Sequence, residues 1–141
     1  MLDSKTVREL INDPRRIGVV ATTDREGNPN AAVFGSVRMP DEMTVTMALG
    51  DTRTAQNLLE TGKAVFMSVL PHEEPMKSQG CRVYLKVRLM ENEGPNLDAA
   101  KAKVAAEANE KAAGMIKYAV FFDIESTRPL IDWSPKKQKA E

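Results

Sequence analysis

The feature that most constrains this chain is a two-residue alternation running from Cys81 to Leu89. Cys81, Val83, Leu85, Val87 and Leu89 fall on one side, and Arg82, Tyr84, Lys86 and Arg88 on the other. Side chains that change face at every residue belong to a β-strand. This segment is therefore expected to be a long strand with one face in a core and one in water. Its backbone N–H and C=O groups need partners along both edges, so the rest of the chain must supply further strands.

Five other segments answer that need. Met43 to Leu49 alternates too, with Met43, Val45, Met47 and Leu49 opposite Thr44 and Thr46. Ile17 to Thr23 is rich in β-branched residues, and Asp24-Arg25-Glu26-Gly27-Asn28-Pro29 after it is turn chemistry. Asn30 to Met39 is expected to run back as a second strand, ending at the turn Pro40-Asp41-Glu42. Ala64 to Leu70 is apolar almost throughout, as in a strand covered on both faces. Tyr118 to Ile124 makes the sixth.

Helices fall between some of these strands. Val7, Leu10 and Ile11 share one face of an opening helix, with Asp3 or Ser4 to cap it and Asn12-Asp13-Pro14 to end it. Thr52 to Glu60 reads as a helix closed by Gly62. Asn96 is placed to cap an alanine-rich helix reaching about Ala113, with Gly114 at its end. Strands one to three look to be joined by tight turns, which disfavours a doubly wound sheet. The expected fold is mainly β (α+β): a six-stranded antiparallel split β-barrel with flanking helices. One domain covers 1–134, and the polar stretch 135–141 is expected to be a disordered tail.

Composition narrows the function. Acidic and basic residues number twenty each, so no positive excess marks a nucleic-acid partner. One cysteine, Cys81, allows no internal disulfide, which suits a reducing compartment and a buried thiol. No apolar run approaches the roughly 18–20 residues of a membrane span, and the first residues lack a secretory h-region, so the cytoplasm is the expected location. The single histidine, His72, has no companions for a zinc site. The Arg82, Tyr84, Lys86 and Arg88 stripe carries too little aromatic surface for an oligonucleotide face. No nucleophile elbow is present.

Two stretches have chemical promise. In Leu49-Gly50-Asp51-Thr52-Arg53-Thr54-Ala55-Gln56-Asn57-Leu58 a strand ends in glycine and a helix begins with two threonines and an arginine. Free first-turn N–H groups, the helix dipole and a guanidinium suit a phosphate monoester. The competing reading has Asp51 capping the helix and Arg53 solvated. In Ala31-Ala32-Val33-Phe34-Gly35-Ser36, with Thr46-Met47-Ala48-Leu49 on the neighbouring strand, small side chains leave a slot for a flat ring. Ordinary barrel packing explains the same residues.

The order of Gly18 to Pro29, the Phe34 strand, the Met43–Leu49 strand and Thr52-Arg53-Thr54-x-x-Asn57-Leu58 resembles the pyridoxamine 5′-phosphate oxidase-like FMN-binding split-barrel superfamily. Within it the chain is most similar to the small FMN-binding and general-stress-type members. The resemblance is strong over residues 17–69 and holds in outline beyond.

That resemblance implies a homodimer with FMN at the subunit interface. It implies Arg53 and Thr54 on the FMN phosphate, with Thr52 and Asn57 near. It also implies Val33, Phe34 and the backbone of Thr46, Met47, Ala48 and Leu49 along the isoalloxazine, and Trp133 reaching across from the partner. The stretch Asp132-Trp133-Ser134-Pro135-Lys136-Lys137 lacks the arginine with which pyridoxamine phosphate oxidases clamp substrate, so that oxidation is not expected. An FMN-dependent oxidoreductase or electron carrier is the leading expectation. A deazaflavin-dependent reductase and a non-catalytic flavin-binding or sensing protein are the alternatives.

Overall fold

Asp3 caps the first helix, α1 (Ser4–Asn12), its carboxylate accepting from the Thr6 N–H at 2.9 Å. Val7 and Ile11 are buried, and Leu10 packs at the edge of the same core. The computed structural model describes residues 2–133, and the expected tail lies outside them. The strands are β1 (Ile17–Thr23), β2 (Pro29–Val33), β3 (Thr44–Leu49), β4 (Lys63–Leu70), β5 (Gln79–Glu91) and β6 (Tyr118–Pro129). They form one antiparallel sheet in the order β2-β1-β4-β5-β6-β3. The remaining helices are α2 (Arg53–Thr61), α3 (Pro95–Glu107) and α4 (Glu110–Met115).

The sheet curls because its two edge strands are brought together by residues 34–39. Phe34 is still tied to β1, its N–H donating to the Gly18 carbonyl at 2.9 Å. By Arg38 the chain has changed partner. The Arg38 N–H donates to the Thr46 carbonyl at 2.9 Å, and the Thr46 N–H returns to Arg38 at 2.7 Å. This corrects the expected strand from Asn30 to Met39, and β2 and β3 are joined by this crossing rather than by a tight turn. Two guanidiniums pin the crossing. Arg16 reaches the carbonyls of Gly35 (3.3 Å) and Val37 (2.6 Å), and Arg38 reaches the same two at 2.6 and 2.8 Å. Partial burial, with Arg38 nearby, holds the Arg16 guanidinium below its ordinary value.

The core lies inside the curl. Val20, Val37, Met39, Val45, Met47, Leu49, Phe66, Val83 and Phe122 are all nearly inaccessible. Two expected core residues are absent from it. Met43 precedes β3 and is 78% exposed, because Asp41 turns the chain there by accepting from the Met43 and Thr44 N–H groups. Leu89 is exposed because irregularities in the β5–β6 register, the second between Val87 and Leu89, break the alternation.

The long helix also departs from expectation. Its cap is Gly94, with no side-chain bond, and Asn96 instead donates to the Glu91 carboxylate. It stops at Glu107; a second cap, Asn109, starts α4, which includes Gly114. The final strand runs past Ile124 to Pro129. Cys81 is fully buried, and desolvation pushes its thiol up to about 12. The polar stripe of β5 is engaged with charges: Arg82 with Asp132, and Arg88 with Asp123.

Candidate functional site

β3 delivers the chain into Gly50-Asp51-Thr52, and α2 starts from there. Thr52 is the cap, its hydroxyl accepting from the Ala55 N–H at 3.2 Å, and its carbonyl accepts from the Gln56 N–H. The N–H groups of Arg53 and Thr54 have no acceptor within the helix. Asp51 does not cap; its carboxylate is turned along the helix and accepts from the Gln56 side chain at 2.6 Å. The Asp51 charge stays, but the carboxylate is held by Gln56 and not by the first N–H groups, which leaves those groups to an anion. Arg53 is exposed beside a polar hollow shared with Asp24, Asn28 and Glu60. The Asp24 carboxylate is spent within its own hairpin turn. It accepts from the Glu26 and Asn28 N–H groups and the Asn28 side chain, which lower its proton affinity.

Thr54 and Asn57 are turned toward the sheet, Asn57 at the floor of the same hollow. Both are buried; the Thr54 hydroxyl accepts from Asn30 at 3.3 Å, and the Asn57 amide donates to the Thr22 hydroxyl at 3.0 Å. Their side chains fasten α2 onto β1 and β2. Gly62, at φ 68°, closes the helix with its N–H on the Leu58 carbonyl and turns the chain directly into β4.

A second concavity lies where α3 crosses the outer face of β3 and β6. It is a cleft of about 200 Å³, lined by Ser36, Arg38, Thr46, Met47, Ala48 and, from α3, Ala99, Ala100, Lys103, Val104 and Glu107. The alanines leave the space, and Ala48 packs with Leu97, Ile116 and Ala119 at one end of it. Arg38 and Glu107 face each other at 3.5 Å. Ser36 closes the barrel seam: its hydroxyl donates to the Ala48 carbonyl at 2.6 Å and accepts from the Ala48 N–H at 3.2 Å. From Ala48 to the α2 start is a few residues of chain, at most about 14 Å even if fully extended.

Of the residues singled out in the sequence, the structure brings Thr46, Met47 and Ala48 to the cleft, and Thr52, Arg53 and Thr54 to the neighbouring helix start. Leu49 and the Met47 side chain are core. Phe34 is half-buried against the core, whereas Val33 is 71% exposed. Trp133 is 84% exposed and lies apart from the cleft within one subunit. Sequence reasoning placed Ser36 in the ring-slot stretch without giving it a role, and missed Arg38 and the α3 residues. The crossing carries no periodic signal of its own, and the helix read only as packing. Among the described residues no cluster of three or more His, Cys, Asp or Glu could hold a metal ion, and no helix is long and apolar enough to cross a membrane.

No protein-family model and no curated protein matches the sequence. Solved structures do. An FMN-binding protein from Syntrophomonas wolfei subsp. wolfei is similar over 92% of this chain and 87% of its own, with TM-score 0.80 and 28% identity. HutZ, described as the heme storage protein of Vibrio cholerae, shares the fold at TM-score 0.67 and 14% identity, over 92% of this chain and 95% of its own. An F420 reductase shares it at 0.65 and 11%, over 85% and 94%. The chain has the split-barrel fold of the pyridoxamine 5′-phosphate oxidase-like superfamily.

Proposed function

We propose that this protein is an FMN-binding homodimer acting as an oxidoreductase or electron carrier. The observation that carries the reading is Arg53, exposed at a helix start whose first N–H groups are free, while the Asp51 and Asp24 carboxylates accept from Gln56 and Asn28 and Glu60 shares the hollow. That donor set fits a phosphate monoester. Thr52 would fix the helix start, Arg53 and the Thr54 N–H would hold the phosphate, and Asn57 would keep the helix seated. Phe34 and the Thr46–Ala48 strand would border the ring. When bound, the flavin supplies hydride or electron transfer.

The chain's own part is to bind, orient and shield that ring. Arg38 and Glu107, which line the cleft, are occupied with each other as an ion pair, which favours chemistry at the ring over proton transfer by side chains. Similarity to an FMN-binding protein supports the flavin; the F420 reductase makes a deazaflavin the second reading. His72, the one histidine, does not line the cleft, which counts against heme.

The dimer rests on the outer face of β1, β2 and β4. Val33, Val19 and Met67 stand opposite one another across the three strands, as do Ala31, Ala21 and Val65. Ile17 is 46% exposed on the same face. An apolar sheet face of this kind is suited to a two-fold partner. Titration of the purified protein with FMN, read by flavin absorbance and fluorescence, tests the cofactor. Expected is saturation at one FMN per chain; spectra identical to those of free flavin would rule it out.

A further inference from the structure

The seam of the barrel is held in two different ways. At Thr46 the bonds are backbone to backbone, from a residue pinned by two guanidiniums. At Ala48 both bonds come from one side-chain oxygen, Ser36 Oγ. On the other edge of β3 the strand pairs with β6, and the Leu49 carbonyl takes the Lys117 N–H at 2.9 Å. Ala48 is therefore the one place on this stretch of β3 where an N–H and a C=O are held by a group that a single χ1 rotation removes. Both face the cleft's edge, since Ser36 and Ala48 line it together.

A donor and an acceptor side by side on one strand residue complement a partner that offers acceptor and donor side by side. A serine hydroxyl meets that requirement with one atom. A cyclic imide edge, C=O beside N–H, meets it with two, as an adjacent strand does. We propose that Ser36 sets the specificity of the cleft: its hydroxyl holds the place of a ring's imide edge, and an entering ring must displace it from Ala48. Resting on the flavin reading above, this assigns the ligand class. Flavins and deazaflavins both carry the imide edge, and porphyrins do not. Ser36 is then a competitor, and its hydroxyl weakens binding rather than contributing to it.

The competition gives a sign that a merely structural serine would not. Ser36→Ala leaves the Ala48 pair to water in the free protein and to the ring in the complex. Removing two neutral hydrogen bonds from the free state should tighten riboflavin and FMN by the same factor, from about fivefold to about a hundredfold. With 3-methylriboflavin, which lacks the imide N–H, the variant should show no gain. Riboflavin affinity unchanged or weakened in Ser36→Ala, with the wild type binding it, overturns the role of Ser36 and leaves the flavin reading standing. No flavin bound by either protein overturns both. Should Ser36→Ala not fold, the wild type decides alone. It should prefer riboflavin to 3-methylriboflavin by about tenfold, and equal affinities overturn the proposal.

Discussion

The Asn57 side-chain amide donates to the Thr22 hydroxyl at 3.0 Å, and neither residue is reached by solvent to more than 4%. The bond joins the helix that starts at Arg53 to the second half of β1, so the orientation of the candidate phosphate site depends on a contact one helical turn away. Asn57→Ala would strand the Thr22 hydroxyl in the core. Leaving one buried polar group unpaired costs about 1–3 kcal/mol, readable as a lower urea midpoint with unchanged slope. Asn57→Leu with Thr22→Val should recover much of that loss. FMN and riboflavin should weaken together in the single variant, since the whole helix shifts.

Arg53→Ala should separate the two ligands. Charge-assisted bonds contribute about 1.5–3 kcal/mol, so FMN affinity should fall roughly tenfold or more while riboflavin stays the same. Isothermal titration with both ligands is the check. Equal losses would place Arg53 in folding rather than in binding.

Val33→Glu puts a charge on the edge-strand end of the outer apolar row without touching the core, since Val33 is already 71% exposed. Sedimentation velocity should show a monomer with an unaltered far-ultraviolet spectrum. Flavin binding should fall with dimer dissociation, because a ligand that favours the dimer is linked to it. Trp133, the chain's one tryptophan, reports the same event. If it reaches the partner's site, FMN quenches its emission in the wild type and not in Val33→Glu.

Cys81 supplies a pH test. Burial raises its folded value from 9.0 to about 12, so the native state keeps its proton where the unfolded chain loses it. Stability is fully present below pH 9 and is lost as pH rises toward 12, at up to about 1.4 kcal/mol per unit. Urea midpoints between pH 8 and 11 should fall more steeply in the wild type than in Cys81→Ala. The native thiol should also resist a disulfide reagent at pH 8 until the protein is unfolded.

What the sequence reveals here follows the range of the forces involved. The α2 boundaries were readable because caps are local: Thr52 and Gly62 act within a turn of their own positions. Alternation located β5 up to Val87, because facing inward or outward is decided residue by residue; β4 was located by its apolar run, although its burial alternates. Partnership was not readable. Residues 30–39 look like one strand, yet Val33 pairs with Val19 and Arg38 with Thr46, and nothing in ten successive residues signals that switch. Exposure of Met43 and Leu89 was hidden for a similar reason: an Asx turn and a register irregularity each override a correct local pattern. At the candidate site, Arg53 stood out by its chemistry, whereas Ser36 gains meaning only from Ala48 across the seam.

The pairing of β3 with β6 has a consequence for synthesis. Thr46 lies opposite Phe121, so one edge of β3 waits for a segment made much later. Until β6 is made, β1, β2 and β4 have their neighbours, but one edge of β3 and one edge of β5 have none. Contacts so distant along the chain form late. A nascent chain therefore offers unpaired strand edges to other nascent chains until β6 pairs. Whatever ligand the cleft takes is captured only once β6 has joined the sheet, because β6 forms part of its wall.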